Sequence, residues 1–75
     1  MLEALQAKYK AEVMAAKANI KVYLDNPVGI GEHSDLVSAV DSEITKLAAA
    51  EEKLSQIETL FLEISTKGNF LLDKN

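Results

Sequence analysis

The sequence predicts an all-α fold: an antiparallel two-helix hairpin, coiled-coil-like, that dimerises into a four-helix bundle. Three observations predict it. Ala, Leu, Glu and Lys dominate the 75 residues, and these side chains keep most of their freedom in a helix or have none to lose. Apolar residues recur at spacings of three and four along both halves, the mark of one buried helical face. The single proline and two of the three glycines fall in one short window between those halves. The chain therefore reads as one domain over 1–75, with helix 1 at about 2–26, a turn at 27–33, helix 2 at about 34–67 and a tail at 68–75.

In the first segment Leu2, Leu5, Tyr9, Val13, Ala16, Ile20 and Leu24 form the stripe, while Lys8, Lys10, Glu12, Lys17 and Lys21 fall off it. Pro27 ends the helix, because it has no amide hydrogen and disfavours helical geometry at Asn26 before it. Asn26, Pro27, Gly29 and Gly31 make the turn, with Asn-Pro as its starter and the glycines as positions where positive φ costs little. Val28 and Ile30 are expected to fold over the end of the pair as an apolar plug.

Either His33 or Ser34 can cap the second helix, and Ser34 has the better acceptor; Glu32 and Asp35 suit the positive end of the dipole. Its stripe is Leu36, Val37, Val40, Ile44, Leu47, Ala50, Leu54, Ile57, Phe61 and Ile64. Val40, Leu47, Leu54 and Phe61 step by sevens, with Ala50, Ile57 and Ile64 between them at the partner position of the repeat. Gly68 fits a left-handed position after the last turn, and Glu63 and Lys67 form an i,i+4 pair just before it.

A helix of about 25 residues covers one of about 34 only in part, at 1.5 Å per residue. Helix 1 is expected to reach about Glu58, leaving Leu60, Phe61, Leu62 and Ile64 without a helix opposite. Two outcomes would cover them: Phe70, Leu71 and Leu72 fold back, or another subunit supplies the surface. Leu60, Phe61, Ile64, Phe70, Leu71 and Leu72 are therefore the candidate oligomer or partner interface. The tail is also a candidate docking peptide for a second protein. A dimer is favoured, since two hairpins enclose an interior that one lacks. A lysine-rich first helix beside an acidic second one also favours their pairing, each exposed contact contributing about 0–1 kcal/mol.

Composition narrows the function classes. There is no cysteine, so disulfides and thiolate metal sites are excluded. No secretory leader and no membrane-length apolar run is visible, so a soluble, cytoplasmic protein is expected. The formal charge of −4 and the lack of arginine weigh against a polyanion partner. Gly29-Ile30-Gly31 resembles a phosphate loop only superficially: a helix precedes it, no lysine follows, and Glu32 and Asp35 would repel an anion. Glu32, His33 and Asp35 lack a second histidine to complete a metal site. Glu51, Glu52, Glu58 and Asp41 read as solvated carboxylates, not an acid–base pair in a cleft. No catalytic residue, metal, cofactor or small-molecule substrate is expected. The expected function is a non-enzymatic, self-associating interaction module. The alternatives are a nucleic-acid-associated regulator using Lys8, Lys10, Lys17 and Lys21, or an acidic inhibitor that mimics a polyanion towards a basic protein.

The run Tyr23-Leu24-Asp25-Asn26-Pro27-Val28-Gly29-Ile30-Gly31-Glu32-His33, with Asp35 and then Ala50-Glu51-Glu52-Lys53-Leu54, resembles small uncharacterised helical proteins of marine tailed phages, cyanobacterial myoviruses among them. It covers the turn and much of both helices but rests on one loop motif. Those proteins favour proline where this chain has Ser34, so the start of the second helix departs from their pattern. The resemblance implies a viral origin, residence in the host cytoplasm or virion, and an accessory or assembly role. It transfers no functional residue.

Overall fold

A computed structural model describes the backbone of residues 1–26 and 33–67 and the side chains of 1–26 and 35–65. The expectations placed on Pro27, Val28, Gly29, Ile30, Gly31 and Glu32, on Gly68, and on Phe70, Leu71 and Leu72 lie outside the described residues. So do the side chains of His33, Ser34 and Lys67, and with Lys67 the pairing expected with Glu63. Within these bounds the molecule is all-helical. Helix α1 spans Leu2–Asp25 and α2 spans His33–Lys67, and the two pack against each other. The result is a rod with principal extents of 58 × 18 × 15 Å.

Helix α1 starts without a side-chain cap at Met1, and Glu3 sits in its first turn, where the helix dipole favours a carboxylate. It ends at Asn26, whose N–H donates to the Val22 carbonyl at 2.9 Å. Asn26 itself leaves helical geometry with φ −141° and ψ 62°. A residue immediately before proline is pushed out of helical geometry by the ring, and Asn26 has left it. Helix α2 begins at His33, so Ser34 lies in its first turn instead of preceding it. Inside α2 the hydroxyls of Thr45 and Thr59 donate back to the carbonyls of Asp41 and Ser55, each at 3.1 Å. Mid-helix threonines thus satisfy themselves locally on the exposed side.

The register follows from two contacts between the helices. Lys53 Nζ lies 4.9 Å from the centre of the Tyr9 ring. Ten residues further along α1, Asn19 donates to Glu43 Oε1 at 3.2 Å, ten residues back along α2. At 1.5 Å per residue on both helices, Leu2 then comes level with about Leu60. Coverage of α2 ends there, two residues beyond the expected limit at Glu58.

Buried and half-buried positions repeat by sevens. The main rows on α1 are Leu2, Tyr9, Ala16 and Tyr23, with Gln6, Val13 and Ile20 beside them, and on α2 Leu36, Glu43, Ala50 and Ile57, with Val40, Leu47, Leu54 and Phe61 beside them; Leu5, Ala39 and Glu63 are half-buried as well. Ala16 and Ala50 are almost fully enclosed, at 3% and 1% exposure. Small side chains here let the backbones approach, and a larger one has nowhere to go. Ala50→Leu is expected to destabilise the hairpin by about 1–3 kcal/mol. Urea unfolding followed by circular dichroism checks it, and an unchanged midpoint would contradict a close approach at Ala50.

Three residues assigned to the buried stripes are instead largely exposed: Leu24 at 62%, Val37 at 63% and Ile44 at 49%. Each follows a row position (Tyr23, Leu36, Glu43) by one residue, which turns it about 100° around a helix of 3.6 residues per turn. Two packed helices bury only a narrow seam, so the outer half of a broad apolar stripe stays wet. Ile64 continues the buried row of α2 but lies past the start of α1, and it is exposed.

Candidate functional site

The hairpin has two unlike sides. On one, Leu24, Leu36, Val37, Val40, Asp41 and Ile44 line an open groove of about 360 Å³ near the turn. All but Asp41 are aliphatic. Leu36 and Val40 are half-buried, while Leu24, Val37 and Ile44 stand exposed. The groove exists because the sequence places apolar residues both in the seam and one step outside it, on both helices at the same level.

The other side is polar. Glu12, Ala15, Ala16, Asn19, Glu43 and Lys46 line a smaller hollow there. Glu43 is 6% exposed although it stands in the seam row between Leu36 and Ala50. Its carboxylate accepts from Asn19 Nδ2 at 3.2 Å and pairs with Lys46 Nζ at 3.3 Å. Asn19 belongs to α1, so Glu43 anchors a polar contact across the helix interface. Lys46 remains mostly in solvent, with its side chain 64% exposed. Farther from the turn, Tyr9 lies between two ammonium groups, Lys8 at 5.2 Å and Lys53 at 4.9 Å from its ring centre. No buried side-chain nitrogen or oxygen among the described residues lacks a partner.

Glu43 is the functional-looking residue that the sequence reading passed over, taking it only as part of the acidity of the second helix. A signal was present: stepping back by seven from Ile64, Ile57 and Ala50 lands on Glu43, not on Ile44. The expected charge pairing between the helices takes a different form as well. Both ion pairs among the described residues lie within one helix, Lys21 with Asp25 at 2.6 Å and Lys46 with Glu43 at 3.3 Å. Of the lysines on α1, Lys8 lies over Tyr9 and Lys21 is paired with Asp25, while Lys10 and Lys17 are exposed.

Of the candidate interface residues, Leu60 sits at the edge of coverage, Phe61 is half-buried, and Ile64 is exposed beside an exposed Leu62. Phe70, Leu71 and Leu72 lie outside the described residues, as do Pro27, Gly29 and Gly31 of the turn, while Asn26 is exposed at its start. Among the described residues no group of three or more His, Asp or Glu could hold a metal ion, and no helix is long and apolar enough to cross a membrane. The fold and its surface define a helical hairpin with one apolar and one polar side. Comparison with protein-family models, with curated proteins and with solved structures returns no match.

Proposed function

We propose that this chain is a non-enzymatic helical interaction module whose first partner is a second copy of itself, two hairpins forming a four-helix bundle. The observation that carries the reading is the thinness of the interior. Among the described residues only Ala16, Ala50 and Ile57 are buried hydrophobics, and no large side chain is fully buried, whereas Leu24, Val37, Ile44, Leu62 and Ile64 are exposed. A hairpin of this kind has an apolar seam but no enclosed core, and chains of this size commonly need a partner to become stable.

Sedimentation equilibrium at micromolar concentration is expected to give twice the 8.2 kDa chain mass, with an unfolding midpoint that rises with concentration. A single 8.2 kDa species at about 100 µM, a concentration that would populate even weak dimers, would refute self-association.

A further inference from the structure

The groove side carries more than apolar residues. Stepping by sevens from Leu24 gives Lys17 and Lys10 on α1; stepping by sevens from Val37 gives Ile44, Glu51 and Glu58 on α2. All seven are exposed. The register fixed by the Tyr9–Lys53 and Asn19–Glu43 contacts brings these rows level, Leu24 with Val37, Lys17 with Ile44 and Lys10 with Glu51. One side of the rod thus reads, away from the turn, apolar, then cationic on α1 and acidic on α2.

Resting on the self-association proposed above, we infer that the groove side is the dimer interface, and that the two hairpins lie parallel, turn beside turn, about a two-fold axis along the rod. Such an axis sets α1 of each hairpin against α2 of its partner at the same level. Leu24 then packs on the partner's Val37, the aliphatic stem of Lys17 covers the partner's Ile44, and Lys10 meets the partner's Glu51. The single like-charged match is Glu3 with Glu58 at the far end. A two-fold across the middle of the rod would instead lay each apolar groove against the partner's Glu51 and Glu58. The polar side offers no comparable surface, because Glu12, Asn19, Lys46 and Lys53 occupy it.

A second copy is the occupant that fits by apolar match and by charge.

Sedimentation equilibrium of the full chain and three variants tests the face. Val37→Lys and Leu24→Lys are each expected to weaken dimerisation about 100-fold or more, as charges introduced at the centre of an apolar contact. Ala15→Lys, on the polar side, should leave the dissociation constant within about threefold. A dimer indifferent to Val37→Lys and Leu24→Lys would overturn the groove assignment while leaving self-association intact. A monomeric unsubstituted chain would defeat both.

Thiol pairing tests the parallel arrangement without depending on those variants folding. The chain has no cysteine, so a mixture of Leu24→Cys and Val37→Cys chains has no competing thiol. Under mild oxidation it should yield mainly the mixed disulfide dimer. Equal yield from a mixture of Ala15→Cys and Val37→Cys chains would overturn the arrangement.

Discussion

Ile57→Ala is expected to lower stability by about 2–4 kcal/mol, the range for truncating a well-buried isoleucine. Ile57 is 6% exposed and is the only long aliphatic side chain among the buried residues described. It sits near the open end of the rod, where α1 begins and coverage of α2 runs out. For a domain of this length, each kcal/mol moves the thermal midpoint by roughly 4–8 °C. A loss of about 10 °C or more in a thermal melt followed at 222 nm is the result to look for. A shift of only a degree or two would mean that Ile57 is not part of the stabilising seam. Ile64→Ala is the matched control: it continues the same row but is exposed, and its effect should be within about 0.5 kcal/mol for the separated hairpin.

The second large effect has the opposite sign. Glu43→Leu is expected to raise stability by about 1–3 kcal/mol, as replacing buried ionic groups by apolar ones of similar volume often does. A carboxylate at 6% exposure has lost most of its water. Its compensation is one hydrogen bond from Asn19 and one ion pair with a lysine that stays mostly in solvent. Leucine at this position would extend the row Leu36, Ala50, Ile57 without a gap. Removing Glu43 leaves no buried charge behind, because Asn19 and Lys46 are both exposed and can return to water.

What Glu43 supplies is register. Its contact with Asn19 is satisfied in only one alignment of α1 and α2, and a slip by one turn would leave the buried carboxylate with Lys46 as its only partner. A polar residue at a seam position fixing alignment at a cost in stability is a known device of paired helices. Glu43→Leu should therefore broaden the amide spectrum while raising the midpoint in urea. A variant less stable by more than about 1 kcal/mol would show instead that the Asn19–Glu43 contact outweighs desolvation.

Much of the architecture was legible from the residues because it depends on near-neighbour rules. Pro27 disfavours continuation of α1 whatever surrounds it, and Asn26 leaves helical geometry as that rule requires. The spacings of three and four in both halves demand one apolar face each, and two helices do pack there. The candidate surface was legible only in part. The apolar end at Leu60 and Ile64 follows from the unequal helix lengths, which can be counted. The groove at Leu24, Val37 and Ile44 was hidden because these residues satisfy the same periodicity as the true seam. Periodicity says that a stripe exists, but not how wide a part of it a single opposing helix can cover.

The sequence by itself determined two helices, the end of the first near Asn26, and the fact that apolar faces bring them together. These are properties of backbone sterics and of solvent's rejection of hydrocarbon, and they need no partner to be evaluated. Only the tertiary structure decided which residue of each adjacent pair turns inward: Tyr23 over Leu24, Leu36 over Val37, and Glu43 over Ile44. That choice depends on the rotation of each helix about its own axis. The rotation is set jointly by the close contact that Ala16 and Ala50 permit and by the meeting of Asn19 with Glu43, interactions between residues far apart in the chain.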